Sequence, residues 1–479
     1  MNDCTIILLG ATGDLSKKKI IPALYRLIER GIMKNCIIVG AAREQVAAAE
    51  IIKRAQEFIG PIDAAAWQTL QNSFFYHQLD FTHQSDYQTL NYRVKEYETK
   101  YKLSGNRIIY IAAASPFFCA ITRNVASSGL AQRLDADAPV WHRLVYEKPF
   151  GSDLKSAQEI NRCIHASFFE HQIYRVDHFL SKELVSNIAL LRFTNIFFEP
   201  LWNSHYIEHV QIILDEPMGI EGRGGYYDKA GALSDVVQNH MLEMLALIAM
   251  ESPATLQPDD VRNARAELLT HVQVVDGILG QYEGYTQEQN VAPNSKTETF
   301  AAVILQIDND RWGSVPFYLR TGKKLDKKQT GIYVTFKKVA CLLARQCPTA
   351  QNSLNIQIDP SPCFAMLVNA KKVGTFEEVE PIPMEFCQNG ILPLAYETLL
   401  ESVYKGDHAI ATRFDEIEYA WKITDTIKAA HFPLYPYKQG SHGPVELEAL
   451  NKKYDIGDTY EIGNHRFGKD GKRNCPTRN

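Results

Sequence analysis

Short apolar runs alternate with a helical pattern at the start of the chain. Residues 5–9 form an apolar run that ends at Gly10, and residues 36–39 form a second one. Between these runs, apolar side chains recur at three- and four-residue spacing from Ile20 to Ile28, and Gly31 follows. Continuous short apolar runs are typical of buried strands, and this spacing followed by glycine is typical of a helix and its end. The pattern therefore predicts a strand–helix–strand crossover.

Later apolar runs divide the chain into two parts. Residues 107–112 and 143–146 predict further strands of the same kind, so residues 1–176 are predicted to form a parallel sheet flanked by helices. Beyond them, apolar segments follow one another with few helical patterns between, which favours a largely antiparallel sheet. The strands predicted there are 210–214, 300–307, 315–320, 332–336, 355–358 and 364–368, and the helices are 233–250, 394–404 and 414–429.

Charge and cysteine content exclude several classes of protein. The net charge of −5 argues against a nucleic-acid binder, which usually carries a basic surplus. The nine cysteines are scattered without a C-x-x-C pair, which argues against a disulfide framework or a zinc knuckle and suits a reducing compartment. The longest apolar stretch, near residues 242–250, is broken by Glu243 and cannot cross a bilayer. We expect a soluble cytoplasmic protein, with a loosely ordered polar tail after Gly463.

The segment 174–183, YRVDHFLSKE, carries three kinds of chemistry within six positions. His178 and Lys182 are four residues apart, so on a helix they would share one face and could donate to separate phosphate oxygens. Asp177 would repel a phosphate and is expected to orient a histidine instead. The spacing alone also fits a solvated helix with ordinary charges.

Further motifs along the chain favour a functional site at 174–183 over a solvated helix. They are LGATGDLS at 9–16, YEKPFG at 146–151, GGYYDKAGA at 224–232, DVVQNH at 235–240, RTGKKL at 320–325 and KQT at 328–330. Together with 174–183, and in this order, they resemble the glucose-6-phosphate dehydrogenase family from about residue 5 to about residue 444. The resemblance implies oxidation of glucose 6-phosphate to 6-phosphogluconolactone with NADP as the hydride acceptor. It also implies a homodimer or homotetramer, because a sheet in the family's second domain carries a dimer interface.

The resulting fold class is α/β plus α+β. A Rossmann-type parallel-sheet domain that binds NADP is predicted over residues 1–176. A larger domain with a mainly antiparallel sheet, which binds the substrate and dimerises, is predicted over residues 177–479.

The loop after the first strand has the glycine spacing of a dinucleotide site, in which a tight turn lets a pyrophosphate approach a helix N-terminus. Arg43 follows the second strand, where an arginine accommodates the 2′-phosphate of NADP. Glu44 beside it could instead hold the ribose of NAD, so NAD stays an alternative coenzyme. The resemblance implies a coenzyme site made of Gly10, Thr12, Gly13, Asp14, Leu15, Arg43 and Lys148.

The resemblance also assigns the chemistry. His240 matches the family's general base, whose pKa range suits proton removal near neutral pH, and Asp177 matches the carboxylate that orients it. No metal is required, because the base and the hydride acceptor do the work. The substrate site it implies consists of Lys148, His178, Lys182, Glu216, Asp235, Lys323 and Lys328.

Three departures from the family pattern leave other functions open. Phe179 replaces a tyrosine, Ser181 a glycine and Ser115 a proline. One alternative is a related NAD(P)-dependent dehydrogenase of another phosphorylated sugar, which a substrate panel would reveal. The other is a non-catalytic paralogue that binds dinucleotide, which would show coenzyme binding without turnover.

Overall fold

The structure is a computed structural model that describes residues 3–339, 350–360, 362–375, 378–387 and 393–457. The polar tail predicted after Gly463 lies outside these ranges. The strands are β1 (Cys4–Leu9), β2 (Cys36–Ala42), β3 (Phe74–Gln78), β4 (Arg107–Ile111), β5 (His142–Glu147), β6 (Ile173–Val176), β7 (Ile207–Asp215), β8 (Val272–Tyr282), β9 (Phe300–Ile307), β10 (Phe317–Gly322), β11 (Gln329–Phe336), β12 (Ser353–Asp359), β13 (Cys363–Lys371), β14 (Val379–Cys387), β15 (Ala411–Thr412) and β16 (Leu434–Tyr437).

The helices complete the description. The α-helices are α1 (Ile21–Glu29), α2 (Ala48–Gln56), α3 (Ala64–Ser73), α4 (Gln84–Tyr101), α5 (Phe118–Ser127), α6 (Leu154–His165), α7 (Glu183–Thr194), α8 (Gly224–Ala232), α9 (Leu242–Ala249), α10 (Pro258–Thr270), α11 (Ala395–Lys405), α12 (Phe414–Ala429) and α13 (Leu447–Lys453). Two π-helices span Ser16–Ile20 and Leu233–Met241. Short 3₁₀ turns lie at Ser115–Phe117, Glu170–Gln172, Glu199–Leu201 and Tyr285–Gln287.

The chain forms two compact units, and neither is continuous in sequence. Unit 1 comprises Met1–Ser186, Glu251–Ala266 and Leu392–Lys422, and unit 2 comprises Asn187–Met250, Glu267–Ile391 and Ile423–Asn479. The helix α11 therefore belongs to unit 1, although it follows most of the second sheet along the chain. The boundary predicted at residue 176 stays a prediction.

Unit 1 is built on a mostly parallel sheet with strand order β15-β6-β5-β4-β1-β2-β3. Only the short β15 runs antiparallel to its neighbour β6. All six residues of β1 are buried, as expected for a parallel strand covered on both faces. The strand order changes direction between β1 and β4, which is the arrangement of a dinucleotide-binding sheet.

One end of α11 is fixed to the start of β5. The guanidinium of Arg143 donates to the carbonyl oxygens of Val403 and Tyr404, both at 2.7 Å, and stacks on the ring of Trp141 with 3.8 Å to the ring centroid. Gly406 ends the helix with φ 84°. A Cβ there would lie 2.6 Å from the Arg143 guanidinium, so glycine meets both the backbone and the packing requirement.

Unit 2 is built on a mainly antiparallel sheet with strand order β14-β13-β12-β11-β7-β10-β9-β8-β16. The pairs β7–β10 and β8–β16 are parallel, and the other neighbours are antiparallel. The predicted fold class is confirmed by the two sheets. Strands β3, β6, β8, β14, β15 and β16 were not predicted.

Two cysteines on neighbouring strands are bonded to each other. Cys363 on β13 pairs in register with Cys387 on β14, and their sulfur atoms are 2.00 Å apart. The scattered cysteines argued against a disulfide framework, and this bridge within one strand pair was not predicted. None of the helices in the described ranges is long and apolar enough to span a membrane.

Candidate active site

The candidate residues of unit 1 follow the carboxyl ends of parallel strands. Gly10 comes directly after β1, Arg43 after β2, Lys148 after β5 and Asp177 after β6. Parallel strands end at the same edge of a sheet, so the fold brings these residues to one edge of unit 1. In open α/β sheets, ligands bind at this edge near the point where the strand order reverses.

The loop after β1 is closed tightly against β4. Gly10 has φ 96°, and a Cβ on it would lie 2.2 Å from the carbonyl oxygen of Ala112. The same glycine's carbonyl oxygen accepts hydrogen bonds from the Gly13 N–H at 3.0 Å and the Ser16 hydroxyl at 2.8 Å. This position therefore requires glycine for its backbone and for its close approach to β4.

A helical turn begins at Asp14 and continues into the π-helix from Ser16. The Asp14 carboxylate lies 3.1 Å from Lys18 and 3.6 Å from Lys17, and the hydrogen bond and charge of Lys18 lower the pKa of Asp14. Thr12 is half-buried in the preceding loop and Leu15 in the first turn. The unsatisfied N–H groups of such a helix start suit a pyrophosphate.

Arg43 is exposed just beyond the end of β2. The neighbouring Glu44 points its carboxylate toward Arg54, with Oε1 at 2.9 Å from the guanidinium. Among the ion pairs of the described residues, Arg43 takes part in none. Its guanidinium suits a 2′-phosphate, and the negative charge of Glu44 is balanced by another arginine.

Lys148 follows β5 and is half-buried. Its peptide bond to Pro149 is cis, and the carbonyl of Phe150, two residues after the lysine, accepts a hydrogen bond from the Trp421 indole at 2.7 Å. The hydrogen bond from Trp421 holds the main chain at Phe150, shortly after the lysine.

Residues 178–182 lie in a turn and not on the helix that their spacing suggested. The Leu180 N–H donates to the Asp177 carbonyl at 3.1 Å and the Lys182 N–H to the Phe179 carbonyl at 3.0 Å, and α7 begins only at Glu183. The expectation of one shared helical face is therefore wrong. The segment departs from a helix because Asp177 competes for a main-chain donor, and its carboxylate accepts the Phe179 N–H at 2.8 Å.

The ring of Phe179 is buried and contacts the lysine of the same segment. The Lys182 ammonium lies 3.9 Å from the ring centroid, which is within cation–π range. Asp177 and Ser181 are also buried, while His178 and Lys182 are half-buried. The turn thus keeps the His178 imidazole and the Lys182 ammonium partly exposed, while the other side chains of the segment are buried beneath them.

In unit 2, strand pairing brings Glu216 and Lys323 together. Glu216 follows β7, Lys323 follows β10, and these parallel strands are in register at Asp215 and Gly322. The two side chains form an ion pair, and Lys323 is buried. Lys328 directly precedes β11 at the same end of the sheet, and its ammonium lies 2.8 Å from Asp359.

Asp235 and His240 lie on the π-helix Leu233–Met241, and both are buried. Hydrogen bonds from residue i to i+5 place residues five apart about one turn from each other, and π segments are frequent at functional sites. The Tyr226 hydroxyl donates to the Asp235 carboxylate at 3.3 Å. The helix packs against β7 and β10, the two strands that position Glu216 and Lys323.

Comparisons with known proteins match both parts of the chain. The family model "Glucose-6-phosphate dehydrogenase, NAD binding domain" matches residues 7–187, and "Glucose-6-phosphate dehydrogenase, C-terminal domain" matches residues 189–460. The chain belongs to the glucose-6-phosphate dehydrogenase family. The resemblance inferred from the motifs is thereby confirmed.

Relatives of this family cover nearly the whole chain. Glucose-6-phosphate 1-dehydrogenase of Bacillus subtilis is 38% identical over 473 residues, which is 93% of this chain and 96% of the relative. A solved glucose-6-phosphate dehydrogenase in complex with glucose 6-phosphate superposes with a TM-score of 0.87 at 31% identity, covering 96% of this chain and 99% of that one. The Mycobacterium avium enzyme gives 0.83 at 34% identity, covering 94% and 96%.

Proposed function

We propose that this chain oxidises D-glucose 6-phosphate at C1 and yields 6-phospho-D-glucono-1,5-lactone, with NADP as the hydride acceptor. The observation that carries the proposal is the match of both family domains over residues 7–187 and 189–460. A steady-state assay with glucose 6-phosphate and either coenzyme tests it, with absorbance of the reduced nicotinamide as the readout. Absence of turnover with both coenzymes would refute the proposal.

His240 is proposed to take the proton of the C1 hydroxyl, and Asp177 is proposed to orient and stabilise the imidazolium that results. The burial of each side chain supports these roles, because a buried carboxylate or imidazole interacts more strongly with a polar partner than a solvated one does. NADP, when bound, accepts the hydride from C1.

The phosphate of the substrate is proposed to bind His178 and Lys182, each of which can donate to a separate oxygen. The turn that holds them rests on buried Phe179, which supports a fixed position for both groups. Lys148 is proposed to contact both the sugar and the coenzyme.

The sugar hydroxyls are proposed to bind Glu216, Asp235, Lys323 and Lys328. The ion pair between Glu216 and Lys323 supports this assignment, because each group holds the other in place before substrate arrives. Buried acceptors such as Asp235 provide specificity, since a sugar that lacks the matching hydroxyl leaves them unpaired.

NADP is proposed over NAD because Arg43 is exposed beside β2 and the carboxylate of Glu44 is paired with Arg54. The remaining coenzyme contacts are proposed at Gly10, Thr12, Gly13, Asp14 and Leu15, where the glycine turn leads into a helix start. We further propose a cytoplasmic homodimer or homotetramer with its domain boundary after residue 176.

A further inference from the structure

Glu147 is a buried carboxyl group that the proposed mechanism does not use. It is the last residue of β5 and 7% exposed, and it directly precedes Lys148. The hydroxyl of Tyr110, on the neighbouring strand β4, donates to its Oε1 at 2.5 Å. A buried carboxyl normally needs such partners, because burying an ionisable group without them is costly.

A second tyrosine connects Glu147 to the proposed phosphate site. Tyr396, on α11, also faces Glu147: its hydroxyl lowers the pKa of the carboxyl, and the charge of Glu147 raises the pKa of the phenol. Its ring stacks on the imidazole of His178, with 6.2 Å between the ring centroids and 16° between the planes. One side chain therefore contacts both the carboxyl that adjoins Lys148 and the histidine that follows Asp177.

The groups that face Glu147 set its charge near neutral pH. Burial raises the pKa of Glu147 to about 7, although the hydrogen bond from Tyr110, the nearby Tyr396 hydroxyl and the charge of Lys148 lower it, while Asp177 raises it. Burial also raises the pKa values of both tyrosines, so each keeps its proton and donates. The carboxyl thus changes from neutral to ionised across the pH range in which a histidine base works.

We infer that Glu147 is a positioning residue, which acts through Tyr396 and the adjacent peptide to hold His178 and Lys148 in their substrate-binding positions when it is ionised. This inference deepens the proposed function and rests on it. An ionised carboxylate accepts a stronger hydrogen bond from Tyr110 and attracts the facing Tyr396 hydroxyl more strongly than a neutral one does, so the positions of Tyr396 and Lys148 are better fixed. Affinity for glucose 6-phosphate should therefore depend on the charge of a group that does not touch the sugar.

The test compares the wild type with Glu147→Gln, which keeps the shape of the side chain and removes its charge. At pH 8.5 we expect KM for glucose 6-phosphate to rise about tenfold with little change in kcat, as for one lost charge-assisted hydrogen bond. At pH 6 only about a tenth of the wild-type carboxyl is ionised, so the ratio of the two KM values should fall to about two. A ratio that stays constant from pH 6 to 8.5 would overturn the inference.

Tyr396→Phe provides the second variant, because it keeps the ring against His178 and removes the hydroxyl that reaches Glu147. It should raise KM several-fold at pH 8.5 with the same decline toward pH 6. Tyr404→Phe is the matched control. This tyrosine lies on the same helix and is similarly buried, but its hydroxyl faces Cys36 and not Glu147. Equal KM changes in both tyrosine variants would overturn the inference.

Two further measurements separate the possible failures. Melting temperatures compare the folding of all variants, and if Glu147→Gln does not fold, the two tyrosine variants decide. Calorimetric titration with glucose 6-phosphate reports the same affinity ratios without turnover. A wild type that binds glucose 6-phosphate but does not turn it over would refute the proposed function alone. A ratio of variant to wild-type affinity that is the same at pH 6 and pH 8.5 would refute the role of Glu147 alone.

Discussion

The side chain of His240 carries the proton transfer in the proposed mechanism. His240→Asn should lower kcat by about 10²–10⁴-fold, the usual contribution of a general base, and should leave KM nearly unchanged. Steady-state kinetics at saturating glucose 6-phosphate measure the loss. His271→Asn is the control, because this histidine lies at the surface and pairs with Glu267, and it should keep full activity. A His240→Asn variant that stays as fast as the wild type would refute the assignment.

Coenzyme choice depends on Arg43. Arg43→Ala should weaken NADP binding by about 1.5–3 kcal/mol, the value of a hydrogen bond to a charged group, and should affect NAD much less. Kd values for the two coenzymes, from fluorescence titration, give the comparison. Arg93→Ala removes a similarly exposed arginine, one paired with Glu96, and should change neither Kd. Equal losses for NADP and NAD in Arg43→Ala would show that Arg43 does not contact the 2′-phosphate.

Phe179 is a departure from the family pattern that contacts both proposed phosphate ligands, His178 and Lys182. Its ring supports the Lys182 ammonium at 3.9 Å. Phe179→Tyr should lower KM for glucose 6-phosphate, because the added hydroxyl supplies a hydrogen bond that the family's tyrosine provides. Kinetics at several sugar concentrations measure the change, and an unchanged or higher KM would mean that the ring edge points away from the phosphate.

Among the elements, β6 depends on an ion pair that links it to the preceding 3₁₀ turn. Glu170 binds the buried Arg175 through both carboxylate oxygens, at 2.6 and 3.0 Å, and His165 at 2.9 Å. Burial raises the pKa of Glu170, but the hydrogen bond from His165 and the charge of Arg175 outweigh it and lower the pKa to about 2. The carboxylate therefore stabilises the fold above pH 4.5, and this stabilisation is lost as pH falls toward 2.

Glu170→Gln should lower the free energy of unfolding by about 3 kcal/mol at pH 7, the equivalent of moving a carboxyl pKa from 4.5 to about 2. Urea unfolding at pH 7 and pH 3 measures the effect, and the difference from the wild type should shrink at the lower pH. Glu50→Gln, at an exposed pair with Arg54, should cost less than about 1 kcal/mol. A difference that does not depend on pH would contradict the proposed ion-pair energetics.

Elements with uninterrupted apolar patterns could be predicted, and others could not. β1 and β9 are continuous apolar runs, and both were predicted close to their observed bounds. β8 was missed because Asp276, Gly277 and Gly280 interrupt its pattern, and it pairs with β9 across an irregular register. β14 was missed because Pro381 and Pro383 are unfavourable in a strand interior, which the edge position tolerates.

Only those parts of the candidate site that are encoded by residues close in sequence could be predicted. The glycine turn and the strand ends were predictable, because their residues are close in sequence. The turn at 178–182 was not, because the carboxylate of Asp177 takes a main-chain donor that periodicity does not reveal. The interaction between Glu147 and Tyr396 involves residues about 250 positions apart and is set by the packing of α11, for which the sequence carries no local signal.

For the whole molecule, we expect the outer strand of unit 2 to form part of the interface of the proposed oligomer. Ile382, Met384 and Phe386 alternate along β14, so they share one face, and they are 38%, 62% and 56% exposed. Exposed apolar patches of this kind commonly mark protein–protein contacts.

Light scattering should therefore give a mass of two or four times 54.2 kDa for the wild type. Phe386→Glu should shift the protein toward the monomer, because it places a charge in the proposed interface. Val445→Glu introduces the same charge at another exposed position and should leave the mass unchanged. A wild type that remains monomeric at micromolar concentration would refute the proposed oligomer.

The hydrogen bonds from Arg143 to the end of α11 also affect Tyr396, near the start of that helix. Arg143 stands near the beginning of β5 and Glu147 at its end, while α11 carries Tyr404 beside the first and Tyr396 beside the second. Strand β5 and helix α11 are thus in contact at both ends, through Arg143 at one end and Glu147 at the other. Without the Arg143 contacts, the other end of α11, which carries Tyr396, would be held less firmly. A substitution of Arg143 should therefore weaken the binding of glucose 6-phosphate, although every proposed contact residue is unchanged.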